Sequence, residues 1–229
     1  MKKGTRTWLI ALAVAVFVFG IVLGVAMSWY SSIVPKKTVP TARPKASLPW
    51  SDDFADPSSG WQTESDSSAE VAYQDGKLRI FVKTTNRLAW AFAGHEFSDF
   101  HLAVEATQAA GPDDNMYGVL VRIQDRDNFY RFSISGDGYY MVDKRTGGEW
   151  ELLTPEWPES DAINTGGGST NALEVVGQGE TMTFFVNGVQ LAQVQDSDHR
   201  AGDIGLYAGT LFSEPNVEVH FDNLSITEP

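Results

Sequence analysis

Residues 117–144 read YGVLVRIQDRDNFYRFSISGDGYYMVDK. Apolar and polar residues alternate in three runs, parted by Asp125-Arg126-Asp127-Asn128 and by Gly136-Asp137-Gly138. Period-two alternation marks strands with one buried face, and clusters of Asp, Asn and Gly mark the turns between them. The stretch therefore predicts a three-stranded antiparallel meander over Tyr117–Gln124, Phe129–Ser135 and Tyr139–Lys144. Pairing Gln124 with Phe129 sets Arg122 opposite Arg131 and sends Val119, Val121, Ile123, Tyr130, Phe132 and Ile134 to the core face. Pairing Ser135 with Tyr139 adds Tyr140 and Val142 to the core and puts Asp143 across from Arg131. The opposite face then carries Arg122, Arg131, Ser133, Tyr139, Met141 and Asp143. Two arginines in register repel unless an anion lies between them, and Asp143 supplies one. Such a face reads either as a surface ladder of ion pairs or as a ligand groove. In a groove, Arg122, Arg131 and Asp143 bond sugar hydroxyls and Tyr139 stacks on a ring.

The same alternation runs outward in both directions. Val71–Gln74 and Leu78–Lys83 flank Asp75-Gly76, and Thr183–Val186 and Val189–Val194 flank Asn187-Gly188, two dipeptides that tolerate the positive φ of tight hairpin turns. Further strands are expected at Leu88–Ala93, Phe100–Thr107, Trp150–Leu153, Ala172–Val176, Ile204–Ala208 and Val217–Ile226, with no helix after Trp50. This many short strands predict an all-β, two-sheet antiparallel sandwich. Trp90, Trp150 and Trp157 are candidate sugar platforms, Trp157 because Pro155 and Pro158 hold it in a loop, whereas Trp61 reads as core. Glu149 and Glu151 have the spacing to share a face but sit at a hairpin edge, and His95, His101, His199 and His220 are scattered. Neither set makes a persuasive acid pair, zinc site or triad, so no catalytic residue is assigned.

Upstream the character changes. Leu9 to Met27 holds no charge, long enough at about 1.5 Å per residue to cross a bilayer, and Trp8, Trp29 and Tyr30 mark its ends. The expected organisation is a cytoplasmic N-terminus (1–7), a transmembrane helix (8–30), a proline-rich basic linker (31–49) and one extracytoplasmic domain (50–229). Lys2, Lys3 and Arg6 favour retention of the N-terminus inside; the competing reading is a signal peptide cleaved after Gly24-Val25-Ala26. Gly20 and Gly24 share one helix face and offer a dimer contact within the bilayer.

All thirty acidic residues lie after Pro49 against ten basic ones, a net of −20 for the domain and +7 for what precedes it. That balance excludes nucleic acid as a partner. The absence of cysteine excludes disulfides and thiolate chemistry.

Five segments in order, Asp52-Asp53-Phe54 with Gly60-Trp61, Asn128–Phe132, Phe185–Gly188, Gly202–Leu206 and Phe221–Leu224, resemble those of bacterial concanavalin A-like lectin and glucanase jelly rolls, akin to laminin G-like modules. The resemblance spans nearly all of residues 50–229. It implies a jelly-roll sandwich and surface recognition, most often of glycans, with a glycan-processing hydrolase of the same fold and a protein-binding or sensor ectodomain as the rivals. It also implies that the first and last strands meet, which makes Asp52, Asp53 and Asp222 candidate ligands for a structural Ca2+. Asp125 and Asp127 form a weaker set. Hydrolases of this architecture carry an alternating Glu-x-Asp-x-Glu strand, and none is present, so the expectation is a non-catalytic, carbohydrate-binding module. The 3-keto-disaccharide hydrolase group fits the strand plan loosely, but no catalytic motif matches it residue by residue, and nothing is carried over from it.

Overall fold

The structure is a computed structural model and describes residues 43–229. The expected span at 8–30, the Gly20 and Gly24 face, and residues 31–42 of the linker lie outside the described residues. Among those described, no helix is long and apolar enough to cross a membrane.

The chain opens with β1 (Trp50–Asp52), β2 (Gln62–Thr63), β3 (Ala69–Gln74), β4 (Lys77–Val82) and β5 (Arg87–Phe92). It continues through β6 (Phe100–Ala110), β7 (Asn115–Asp125), β8 (Asn128–Ile134), β9 (Tyr140–Thr146) and β10 (Glu149–Leu152). It closes with β11 (Thr170–Gln178), β12 (Thr181–Val186), β13 (Val189–Gln195), β14 (Asp203–Thr210) and β15 (Val217–Thr227). One sheet has eight strands in the order β13-β12-β11-β6-β15-β4-β3, with β1 added on β15; the other has seven in the order β10-β9-β8-β7-β14-β5-β2. This is the expected all-β sandwich of two antiparallel sheets. The two short strands β1 and β2 carry too few residues to show a period. Both hairpins form where expected, with Asp75, Gly76, Asn187 and Gly188 all at φ between 50° and 77°.

The sheets differ in their outer faces. In the eight-stranded sheet burial alternates along β4, β6, β11 and β15, so one face enters the core and the other meets water. In the seven-stranded sheet β7, β8 and β14 are buried at nearly every position. Alternate side chains must therefore be covered on the outer face too. A second apolar cluster of Phe92, Leu120, Ile123, Phe129 and Tyr207, with Leu88, Trp90 and Met116 against it, supplies that cover.

The meander forms, but its register departs from the expected one between β7 and β8. Arg131 pairs with Leu120, and three residues of β7 face one of β8 between Val121–Tyr130 and Asp125–Asn128. Arg122 sits in this bulge at φ 54°. A bulge re-aims the side chains that follow it, so Ile123 joins the outer cluster and Arg122 turns inward, fully buried. Gly202 permits the crossing: a Cβ there would stand 2.5 Å from the Arg122 carbonyl carbon. Beyond the bulge the expected register holds, with Arg131 opposite Asp143 and Phe132 opposite Val142.

Residues 43–49, counted above with the linker, lie against the sandwich. Ala46 N donates to Glu96 O (3.0 Å) and Glu96 N to Pro44 O (2.9 Å), while Ala46 and Leu48 pack on the core. Arg43 Nε lies 2.9 Å from Asp203 Oδ2, and both side chains are buried.

Candidate functional site

The outer face of the seven-stranded sheet carries polar chemistry above its apolar floor. Strand alternation on β8 and β9 brings Arg131 and Asp143 to the same face in direct register. Arg131 holds the Asp143 carboxylate with two bonds, Nε to Oδ1 at 2.9 Å and Nη2 to Oδ2 at 2.6 Å, and both side chains are nearly inaccessible. Burial pushes the Asp143 carboxyl up, and the paired guanidinium opposes that shift. Burial likewise raises the Tyr207 phenol, which donates to Ser133 Oγ on the same face.

Trp150 on β10 pairs with Arg145 on β9, and its ring covers both guanidinium groups, with the Arg131 Cζ at 4.0 Å and the Arg145 Cζ at 5.3 Å. Trp90 on β5 lies edge-on to Phe129 and under Arg126, whose Cζ is 5.2 Å from the ring. Cation–π contacts of this kind hold each indole in one orientation. Between Trp90, Trp150 and the exposed Phe212 the surface sinks into a trough of about 440 Å³ that also reaches Arg87, Met116, Arg131, Arg145 and Thr210. Trp150 is 43% exposed and Phe212 81%, so apolar surface faces solvent along both walls. A smaller depression of about 180 Å³ adjoins it at Leu211, lined by Asp114, Asn115, Ser135, Asp137, Tyr139 and Trp157.

The structure thus brings together Arg131, Asp143, Trp90 and Trp150 and seats Tyr139 and Trp157 next door. Arg122 belongs to neither depression. It lies inside the sandwich, where Nη1 donates to His199 O at 3.3 Å while Nε and Nη2 have no hydrogen-bond partner among the described residues. Burial pushes its guanidinium down. Glu149 and Glu151 alternate with Trp150 along β10 and so point away from the trough, and Glu151 reaches Lys144 at 3.3 Å instead.

The calcium candidates are each otherwise engaged. Strands β1 and β15 do pair, but Asp52 accepts from Phe54 N (2.8 Å) and Trp61 Nε1 (2.9 Å), Asp53 accepts from Ala55 N, and Asp222 pairs with Lys77. Asp125 accepts from Asp127 N and Asn128 Nδ2 and so closes its own turn. Among the described residues no three or more His, Cys, Asp or Glu side chains are grouped to hold a metal ion.

Sequence reasoning missed Arg87, Arg145, Met116, Tyr207 and Phe212. A signal for part of this set was present: the run Leu88-Ala-Trp-Ala-Phe92 is apolar on both faces, as is Ile204–Ala208. Strands apolar on both faces imply that something packs on each.

A family model described as "3-keto-alpha-glucoside-1,2-lyase-like domain" matches residues 50–227. The chain belongs to that family. Among solved structures, this family member superposes on a carbohydrate-binding module from Bacillus subtilis with a TM-score of 0.60 and 14% identity, over 74% of this chain and 96% of that one. The Bacillus licheniformis beta-glucanase gives a TM-score of 0.59 and 11% identity over 81% and 100%. A Bacillus subtilis protein of unknown function with a galectin-like fold gives 0.59 and 10% over 82% and 98%. At these identities the likeness shows a shared jelly-roll fold and nothing finer. No protein of curated function matches the chain by sequence.

Proposed function

We propose that the chain is a membrane-anchored, extracytoplasmic recognition protein whose domain binds a carbohydrate without cleaving it. The observation that carries this reading is the trough between Trp90, Trp150 and Phe212, lined in part by Arg131, which Asp143 holds from beside it. A sugar ring has an apolar CH face and a rim of hydroxyls; indole covers the first, while guanidinium groups take the second. The carbohydrate-binding module of like fold supports the assignment by analogy. The lining of the trough includes no carboxylate, and Asp143 beside Arg131 is locked to that guanidinium, so an acid and a base flanking a glycosidic bond are not to hand. The uncharged run from Leu9 to Met27 supports the anchor.

The test is binding of the full chain, in detergent, to a glycan array, followed by product analysis on each glycan retained. Trp150→Ala should weaken binding about tenfold or more, since a stacked indole contributes on the order of 1 to 3 kcal/mol. Unchanged retention by that variant would remove the trough from consideration. Recovery of the chain from carbonate-washed membranes should accompany it, and a freely soluble product starting after Ala26 would remove the anchor.

The family match favours a second reading, a lyase acting on a 3-keto glucoside. In such an elimination a base takes the C2 proton beside the ketone, the electron pair forms a C1–C2 double bond, and the glycosidic oxygen leaves and is protonated. Asp137, with Asp114 and Tyr139 in the smaller depression, is where a base stands on this face. Release of the aglycone from a 3-keto-α-glucoside, lost in Asp137→Asn, would establish this reading over the first.

A further inference from the structure

We infer that the sugar taken by the trough is acidic, carrying a ring carboxylate as in a uronic acid; this rests on the carbohydrate reading above. The domain bears ten cations against thirty anions, and an anionic ligand would be repelled from most of its surface. Yet four of those ten cations gather here. Arg87, Arg131 and Arg145 line the trough, with no carboxylate among the lining side chains, and Arg126, which Glu64 engages at 2.7 Å, stacks over Trp90 at its edge.

Hydrogen-bonding capacity points the same way. The lining offers three guanidinium groups and two indole N–H groups as donors, and only Asn86 as a side-chain acceptor of any strength, since the buried Thr210 hydroxyl donates to Thr84 O and accepts from Arg87 N. A neutral sugar presents hydroxyl protons that need acceptors, and protein sites that hold neutral sugars meet them with carboxylates and amides. A carboxylate ligand presents acceptors alone and matches what is offered.

Arg131 is spent on Asp143, which leaves Arg87 and Arg145 to receive the ligand. Each has one carboxylate neighbour at 3.1 Å, Asp66 for Arg87 and Asp127 for Arg145, and both acids are about half exposed, where an ion pair is weak and readily shared. Arg145 Nε is buried without a hydrogen-bond partner among the described residues, and the Trp150 ring fixes the plane of that guanidinium. A fork already held in place binds a carboxylate at little cost in side-chain entropy.

The test compares short oligomers of galacturonate, mannuronate and glucuronate with their methyl esters by calorimetry on the full chain in detergent, at about 50 and about 200 mM salt. At least one acid should bind about tenfold or more tighter than its ester, and more weakly at the higher salt. Arg145→Gln and Arg87→Gln should each erase most of that preference, the acid losing several-fold more affinity than its ester. Equal binding of acid and ester, or binding confined to neutral glycans, would overturn the acidic ligand and leave the carbohydrate reading standing. Binding of a sulfated oligosaccharide with none of a uronate would overturn the carboxylate. Failure of every glycan, neutral and acidic, would overturn both readings together.

Discussion

Arg131 and Arg122 are buried arginines on adjacent strands, but one has a carboxylate beside it and the other a backbone carbonyl. Removing one partner of a buried pair strands the other as an uncompensated charge, at a cost of about 3 to 5 kcal/mol, while removing both is close to neutral. Arg131→Met should therefore lower the urea stability by about that amount, and adding Asp143→Leu should restore most of it. If the double variant is no more stable than the single one, the two side chains are not coupled. Arg122 offers the opposite case. Its charge is desolvated, Asp99 and Asp196 act on it only from a distance, and no ion pair forms among the described residues, so Arg122→Met should leave stability unchanged or raise it by about 1 kcal/mol. A loss above about 2 kcal/mol in the same urea titration would show that the guanidinium is compensated after all.

At the level of strands, what the sequence declared depended on whether composition encodes the local geometry. The Asp75-Gly76 and Asn187-Gly188 hairpins were legible because two consecutive positive φ values admit few residues, and those residues stand there. The core side of β8 was legible because Tyr130, Phe132 and Ile134 alternate without interruption. The bulge in β7 was not. Alternation counts residues and is blind to their dihedrals, so Val-Arg-Ile-Gln at 121–124 reads as unbroken strand although Arg122 adopts φ 54° and reverses the faces beyond it. That one irregularity moved Arg122 out of the candidate site and Ile123 into the floor beneath it. Trp90 and Trp150 were legible as candidates but not as neighbours, since β5 and β10 are far apart in the chain and lie in one sheet. The bulge also depends on Gly202, whose φ of 153° and missing Cβ let β14 approach within van der Waals contact of Arg122 and Ile123. Gly202→Ala should cost about 2 kcal/mol or more in thermal unfolding, because the nearest atoms are backbone and cannot swing aside. A change within about 0.5 kcal/mol would mean that the crossing relaxes freely.

For the molecule as a whole, acidity is the dominant balance, and it has a direction in pH. With a net of −20 from Trp50 onward, self-repulsion in the compact state eases as carboxylates begin to take up protons. Asp203 adds to this from inside. Its carboxylate faces Arg43 at 2.9 Å and accepts from the amides of Gly94, His95 and Ile204, yet burial pushes it up to about 6. An unfolded aspartate titrates near about 3.9, so between about pH 4 and 6 the folded state binds a proton that the unfolded state does not. Stability from this group is present below that window and is lost as pH rises through it, on the order of 3 kcal/mol in all. The opposite sign belongs to Glu218, which Arg79 holds down, and to Asp196, which is half-buried but held down by Lys144 and Tyr130. Their contributions are lost only as pH falls through the carboxylate range. Urea midpoints between about pH 4 and 8 should therefore be highest near about pH 4 to 5, not at neutrality. Asp203→Asn should flatten the slope between about 4 and 6 and leave the shallower slope due to net charge. Arg43→Gln should carry the slope to higher pH, because the carboxylate loses the guanidinium beside it and is more reluctant to ionise. Since Arg43 precedes the first strand, that extension would also show that the segment entering the domain is part of its folded structure; midpoints that rise steadily from pH 5 to 7 in the parent chain would mean that Asp203 is ionised throughout.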